Sequence, residues 1–194
     1  MMNKLNAPLN EAEIRQAVNV VRRDAGLDPS AWFETISLDE SGRYPLKRGA
    51  YVCCYEPTSN RTLTGVVVFD SDSLHDWQHI EGVQARIVPD EFMMACELAR
   101  EHPGFLQALA KRGLDDASRV LIESWSAGNF GNPEEQSRRI AYGHCWLMND
   151  AGDNPYARPI GNLHPVFDLA TREIIRIDDF GVVPIPPDPG PIRR

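Results

Sequence analysis

The apolar positions of residues 1–87 change from a helical to a strand spacing. Between Glu11 and Ala25 they recur at helical intervals, which predicts a helix that Asn10 caps and Gly26 terminates. The predicted apolar face of this helix consists of Ile14, Ala17, Val18, Val21 and Ala25. Segments rich in β-branched and aromatic residues follow, and we predict strands at 33–38, 49–56, 63–69 and 74–81.

Residues 88–183 repeat this order of elements. Pro89, Asp90 and Glu91 suit the first turn of a helix. His102-Pro103 interrupts that helix, and a short further helix ends at Gly113. The apolar face of the first of these helices contains Phe92, Ala95, Cys96 and Ala99. Strands are predicted at 118–124, 140–147, 164–169 and 173–178.

The repeated order predicts an α+β protein of two small domains, each with a helix packed on a four-stranded antiparallel sheet. Val68-Phe-Asp70 and Val166-Phe-Asp168 are a weak internal repeat in corresponding places. We therefore predict domains at 1–87 and 88–183. Residues 184–194 contain five prolines and predict an extended connector.

Composition narrows the possible partners of the chain. It has 194 residues, with 28 acidic against 20 basic side chains and a net charge of -8, which argues against a nucleic-acid partner. No apolar run approaches the roughly 18 residues of a membrane span. Residues 1–10 lack the basic-then-apolar pattern of a secretion signal. We therefore expect a cytoplasmic protein.

The histidines and cysteines show no recognisable metal or catalytic motif. His75 and His79 have the spacing of a helical metal pair, but on the predicted strand they would share a face and stand about 13 Å apart. We interpret His144 and His164 as strand residues without a function. The four cysteines lack ligand spacing, so a metal site is not expected. A small enzyme with Cys53 or Cys54 as nucleophile stays open as a minor hypothesis.

Several strings resemble copper amine oxidase, the primary-amine or tyramine oxidase family. The resemblance covers about residues 9–187 and is stronger in the second half. In the first half it is carried by Trp77-Gln-His-Ile-Glu-Gly-Val83. The second half contributes Glu91-Phe92, Leu109-Ala-Lys-Arg-Gly113, Trp125-Ser-Ala-Gly-Asn-Phe130, Arg138-Arg-Ile140, Gly152-Asp-Asn-Pro-Tyr-Ala-Arg-Pro159 and the run from Ile174 to Pro186.

The resemblance implies the family's two small N-terminal domains, N2 and N3, both cystatin-like. It also implies a homodimeric enzyme that oxidises primary amines to aldehyde, ammonia and hydrogen peroxide. In the family, that chemistry belongs to a C-terminal β-sandwich that holds copper and topaquinone, a quinone made from a tyrosine in Asn-Tyr-Asp/Glu. No tyrosine here follows asparagine, and no histidines have His-x-His spacing. We therefore expect no catalytic residue, metal ligand or cofactor in this chain, which would end before the catalytic domain.

Three aromatic residues match family positions that line the passage of amines to the quinone. They are Phe92, Trp125 and Tyr156, each of which could instead be a core aromatic. By resemblance, the chain would pack on the β-sandwich and line part of this substrate funnel. The alternative is a free-standing cystatin-like module that binds partners or small molecules.

Overall fold

In the computed structural model, residues 6–45, 47–128, 130–149 and 154–185 are described. They form two compact units, one that runs up to Arg86 and one that starts at Ile87. None of the helices in these ranges has both the length and the apolar character needed to cross a bilayer.

The first unit consists of one helix and one antiparallel sheet. The helix is α1, Glu11–Asp24, and the strands follow in the order in which they pair, β1-β2-β3-β4. Their bounds are β1, Trp32–Leu38; β2, Gly49–Glu56; β3, Arg61–Val68; and β4, Ser73–His79. Each strand therefore pairs with its neighbour in sequence, as in a simple meander.

Helix α1 covers one face of this sheet, but with a slightly different side from the predicted one. Its buried residues are Ala17, Val20 and Val21, whereas Ile14 is 39% exposed. They pack on alternate residues of the two central strands, Ala50, Val52, Cys54, Leu63 and Val67. The buried face is therefore rotated from the predicted one, towards Val20 and away from Ile14.

A β-bulge in β4 overturns the prediction that His75 and His79 share a face. His75 lies opposite Val66 and His79 opposite Leu63, and the register shifts between them. Asp76 at the bulge has a φ of 51°. The extra residue reverses the alternation of side chains, so the two histidines lie on opposite faces.

Glu13 joins the start of α1 to the sheet. Its Oε2 accepts a hydrogen bond from the Asn10 N–H, and the Asn10 side chain accepts one from the Glu13 N–H, which is the predicted capping box. Arg48 donates from Nε to Glu13 Oε1 at 2.5 Å and from Nη2 to Oε2 at 2.9 Å. The hydrogen bond from Arg48 lowers the pKa of Glu13 from 4.5 to about 2.

This lowered pKa predicts acid-dependent stability. Because the folded state favours the ionised carboxylate, Glu13 stabilises the fold above its ordinary pKa of 4.5, and this contribution disappears as the pH falls towards about 2. We expect Glu13→Gln to destabilise the first unit at neutral pH, with a difference from wild type that shrinks through this range. The free energy of unfolding at each pH is measured by urea unfolding, monitored through the amide signals of the first unit.

Glu11→Gln is the matched control, since the ion pair of Glu11 with Arg15 is mostly exposed. It is expected to change the free energy of unfolding by less than about 0.5 kcal/mol. A difference between Glu13→Gln and wild type that did not depend on pH would contradict the assignment.

The second unit contains two helices and a second antiparallel meander. The helices are α2, Pro89–Glu101, and α3, Pro103–Ala110. The strands pair in the order β5-β6-β7-β8. Their bounds are β5, Val120–Ser126; β6, Ile140–Leu147; β7, Leu163–Asp168; and β8, Glu173–Asp179. Strand β5 begins later than predicted because residues 117–119 form a 3₁₀ turn that Asp116 caps.

Both helices pack on the same face of this sheet. The core includes Ala95 and Ala99 of α2 and Phe105 and Leu109 of α3, and the sheet contributes alternate residues of its strands. Those strand residues are Val120, Ile122, Ala141, Cys145, Leu163 and Phe167. The predicted α+β fold of helices on four-stranded antiparallel sheets is therefore confirmed, with α3 as an additional helix in the second core.

Two ion pairs of the second unit involve the family-like string Arg138-Arg-Ile140. Arg139 donates from Nε to Glu91 Oε1 at 2.6 Å and from Nη2 to Glu91 Oε2 at 2.7 Å, and both residues are buried. Arg138 pairs with the buried Asp168 at 2.7 Å. The first pair ties α2 to the start of β6, and the second ties the start of β6 to the end of β7.

The predicted proline-rich connector falls largely outside the described residues. Pro184 and Ile185 belong to no helix or strand, and residues 186–194 lie beyond the described range. Residues 129 and 150–153 are likewise outside it, and 129, 152 and 153 belong to two of the family-like strings.

Candidate functional site

The face of the second sheet that the helices leave uncovered carries a group of aromatic side chains. Glu123 of β5 lies opposite His144 of β6, and Leu121 lies opposite Trp146. Because residues of a strand alternate between its faces and Ile122 and Cys145 belong to the core, these side chains point away from the helices.

Five rings make up what we call the aromatic cluster: Trp125, His144, Trp146, Tyr156 and His164. The ring centroids of His144 lie 4.8 Å from Trp125, 5.2 Å from His164 and 6.1 Å from Trp146. Tyr156 meets Trp146 edge-on at 5.3 Å. Such tilted and edge-to-face arrangements are the ones that aromatic rings prefer.

Tyr156 reaches this face through a segment that takes the place of a strand. The register of β6 with β7 covers only Ile140 to Tyr142. Farther along β6, the Leu147 N–H donates to the Arg158 carbonyl at 2.8 Å, and the Ile160 N–H donates to the Cys145 carbonyl at 2.9 Å. This pairing holds residues 158–160 against β6 and positions the preceding Tyr156 over the sheet.

Glu123 connects the two most exposed rings of the cluster. Trp125 donates from Nε1 to Glu123 Oε2 at 3.1 Å, and Tyr156 donates from its hydroxyl to Glu123 Oε1 at 2.5 Å. The hydrogen bond to Glu123 raises the pKa of Tyr156, so the phenol stays a donor at neutral pH. Burial, together with the nearby His164, lowers the pKa of His144 below 6.5, which keeps that imidazole neutral.

The structure brings together two of the three predicted funnel residues. Trp125 is 56% exposed and Tyr156 is 51% exposed, so neither is a core aromatic. Phe92 is half-buried on α2, which packs on the opposite face of the sheet. A role of Trp125 and Tyr156 in a funnel stays a prediction.

Sequence reasoning missed Glu123, His144, Trp146 and His164 as members of this site. The sequence did contain a signal for this site. Glu123 and Trp125 lie two residues apart on β5, as His144 and Trp146 do on β6, so each pair shares one face of its strand. The antiparallel register that puts the two pairs side by side was needed to connect them. The two histidines, interpreted from sequence as residues without a function, lie within the cluster.

The cysteines are poor candidates for a nucleophile. Burial raises the pKa of Cys53 to about 11 and that of Cys54 to about 12. Only the thiolate attacks, so we expect iodoacetamide at about pH 8 to alkylate both at least about a hundredfold more slowly than in the unfolded chain. Mass spectrometry of timed samples measures the rates, with the chain in concentrated guanidinium chloride as reference. A native Cys53 as reactive as the reference would revive the cysteine-enzyme hypothesis.

Metal ligands are not gathered anywhere in the described part of the chain. Within it, no three side chains of His, Cys, Asp or Glu lie together in a way that could hold a metal ion. The aromatic cluster contributes two histidines whose rings contact each other edge-on and one carboxylate already held by two donors.

Comparison with known proteins identifies the family. Residues 90–190 match the family model described as copper amine oxidase, N3 domain. The chain belongs to the copper amine oxidase family. Its second unit is the part that this N3 model describes, and the family-like strings recognised in the sequence fall largely within it.

Relatives and solved structures extend the match to most of the chain. The primary amine oxidase of Arthrobacter sp. (strain P1) is 30% identical over 186 residues, which cover 92% of this chain and 28% of that protein. The primary amine oxidase of Klebsiella aerogenes is 27% identical over 200 residues, covering 94% and 26%. A copper-containing benzylamine oxidase from Hansenula polymorpha has the same fold, with a TM-score of 0.68, 21% identity and coverage of 92% and 31%. The chain thus spans less than a third of the length of these amine oxidases.

Proposed function

We propose that this copper amine oxidase chain is the non-catalytic N2 and N3 region of a primary-amine oxidase. The first unit would be N2 and the second N3. The region would pack on a catalytic β-sandwich, in the same or a separate polypeptide, and line part of the substrate funnel. The observation that carries the proposal is the N3 match over residues 90–190, within an alignment to a primary amine oxidase over 92% of the chain.

Trp125 and Tyr156 are the residues we propose for the funnel. Both are more than half exposed, on the face of the sheet opposite to the one that α2 and α3 cover. Their rings offer apolar contact to the hydrocarbon part of an amine and cation–π attraction to its ammonium group. Phe92, half-buried on α2, is proposed for the same role on the resemblance alone.

The enzyme's cofactors do not fit the residues of this chain. Copper needs several nitrogen or carboxylate ligands at one place, and the described residues bring no such group together. The tyrosines follow Arg43, Ala50, Cys54, Ala141 and Pro155, so none has the Asn-Tyr context of the quinone precursor. We therefore assign copper and topaquinone to the catalytic domain and no oxidation step to this chain.

The whole enzyme would convert primary amines to aldehyde, ammonia and hydrogen peroxide as a cytoplasmic homodimer. The family membership supports the reaction and the dimer. Four free cysteines support a reducing compartment, since disulfides are rare in the cytosol.

Metal analysis and a quinone stain test the non-catalytic role. We expect the purified chain to carry less than stoichiometric copper after incubation with Cu²⁺ and dialysis, and to give no redox-cycling stain. A chain with one tightly bound copper and a stainable quinone would overturn the proposal.

The coding sequence separates this role from that of a free-standing binding module. An oxidase region is expected to be followed in frame, or accompanied at the same locus, by a sequence with Asn-Tyr-Asp/Glu and His-x-His. A stop codon with no such partner encoded nearby would favour the module.

A further inference from the structure

A cleft opens on the face of the first sheet that lies opposite α1. Because Val52 and Leu63 belong to the core beneath α1, the neighbouring Tyr51 and Thr64 point to this other face. Both residues line the cleft, whose volume is about 180 Å³. Pockets for drug-sized ligands measure roughly 300–1,000 Å³, so this cleft has room for one smaller molecule.

The loop that follows β1 forms one wall of the cleft. Asp39, Ser41 and Arg43 of this loop line it together with Asp76 of β4. Arg43 donates from Nη1 to Asp76 Oδ2 at 3.1 Å, and the Tyr44 hydroxyl donates to the same oxygen at 3.0 Å. The residue at the β-bulge of β4 therefore also anchors this loop to the sheet.

The sheet supplies an apolar floor and three polar side chains that are free to bind a ligand. Val66, which also lines the cleft, is 5% exposed, whereas Tyr51 is 37% exposed. Gln78 lies opposite Thr64 in the register of β3 with β4. Within the described ranges, the side chains of Tyr51, Thr64 and Gln78 form no hydrogen bond with another group. Each of these three side chains can both donate and accept a hydrogen bond.

The charged groups of the cleft give it one negative charge in excess. Arg43 forms an ion pair with Asp76 at 3.1 Å. Asp39 accepts a hydrogen bond from the Ser41 N–H at 3.1 Å, and no basic side chain in the described part of the chain pairs with it. Burial raises the pKa of Tyr51, so its hydroxyl stays protonated at neutral pH. The cleft therefore repels anions and offers both donors and acceptors to an uncharged ligand.

We propose that this cleft binds one small, uncharged, polyhydroxylated molecule of the monosaccharide class. Thr64 and Gln78 exchange hydrogen bonds with its hydroxyl groups, Asp39 accepts one, and the Tyr51 ring packs on its C–H groups. A hydroxyl both donates and accepts, so it satisfies polar groups that an apolar ligand would leave without partners. The site lies in the first unit and does not depend on the proposed oxidase role.

Three sugars and a ring that lacks their hydroxyls test the proposal on the intact wild-type chain. D-glucose, D-galactose and D-mannose are added separately, and the amide signals of Tyr51, Thr64 and Gln78 are followed by NMR. At least one sugar is expected to shift these signals saturably, with a Kd of about a few millimolar. Tetrahydropyran-2-methanol keeps the ring and its hydroxymethyl arm, and is expected to bind at least about tenfold more weakly.

Two outcomes of the ligand experiment would overturn the proposal. One is that none of the three sugars shifts the signals of the cleft saturably. The other is that tetrahydropyran-2-methanol binds as tightly as the best sugar, because the hydroxyl groups would then contribute nothing to recognition.

Substitutions in the cleft test the assignment to residues. Gln78→Ala and Thr64→Val each remove one hydrogen-bonding group, and each is expected to weaken sugar binding at least about fivefold. Gln107→Ala removes the same side chain from an exposed position on α3 in the second unit, and is expected to leave binding within about twofold. Wild-type affinity in both cleft variants would overturn the assignment.

The fold of each variant is checked by the dispersion of its amide signals. If one cleft variant does not fold, the other variant and the comparison of sugars with tetrahydropyran-2-methanol still decide the proposal. Failure of sugar binding leaves the proposed N2 and N3 role intact, since copper, quinone and coding sequence test that role separately.

Discussion

Arg139→Leu is expected to destabilise the second unit by about 3–5 kcal/mol, the cost typical of leaving one member of a buried ion pair behind. The side chains of Arg139 and Glu91 are 2% and 7% exposed, and two parallel hydrogen bonds join them. Without the guanidinium, the Glu91 carboxylate has to stay charged without its partner, take up a proton, or draw water into the core. Each of these costs free energy.

The effect is measured by urea unfolding followed through amide signals of the second unit. Lys111→Leu removes a positive charge from the same unit at a side chain that is 57% exposed, and is expected to cost less than about 1 kcal/mol. A loss for Arg139→Leu as small as that of the control would show that the Glu91–Arg139 pair contributes little.

The double variant Glu91→Leu with Arg139→Leu tests whether the loss of stability comes from the missing ion pair or from the carboxylate left without a partner. Replacing both partners removes the buried carboxylate, so we expect it to be more stable than Arg139→Leu alone. A double variant less stable than the single one would show that Glu91 stabilises the fold mainly through another contact, such as the hydrogen bond that it accepts from the Val88 N–H at 3.0 Å.

Gly143→Ala is expected to cost about 2–3 kcal/mol through overpacking. Gly143 lies on the helix-covered face of β6, where an added Cβ would stand 2.6 Å from Pro165 Cγ and 3.1 Å from Phe167 Cε2. The proline ring is rigid and Phe167 is fully buried, so neither neighbour can easily move away. The Gly143 carbonyl also contacts the His164 ring nitrogen at 3.1 Å, so movement of β6 would disturb the aromatic cluster.

Gly161→Ala is the matched substitution in the same unit. Its added Cβ would meet Val183 at 3.6 Å, an ordinary contact distance, and the change is expected to stay within about 0.5 kcal/mol. Both variants are compared by urea unfolding and by the chemical shift of the Trp125 indole. Equal stabilities for the two variants would contradict the packing argument.

The elements that the sequence predicted well are those decided by neighbours along the chain. The capping box of Asn10 and Glu13 lies within one turn, and it is present in α1. Strands predicted from their β-branched and aromatic residues, such as β2 and β6, have the predicted bounds. Local hydrogen bonding and side-chain period are properties of short segments, which is why pattern alone can identify them.

The sequence predictions were wrong where the result depended on contacts between two elements of the fold. The side of α1 that is buried depends on how the helix lies on the sheet, which exposed Ile14 and buried Val20. The single extra residue in the bulge at Asp76 placed His75 and His79, which were predicted to share a face, on opposite faces of the sheet. Neither feature changes the apolar pattern enough to be visible in it.

By itself, the sequence determined the fold class and the family, because both depend on the order of elements and on strings of adjacent residues. Only the tertiary structure decided the site. Glu123 and Tyr156 are 33 residues apart, and they meet because residues 158–160 pair with β6 beyond the point where the β7 register ends. Glu91 and Arg139 meet across 48 residues for a similar reason. Such contacts depend on strand register and helix placement, which many residues decide together and no short segment records.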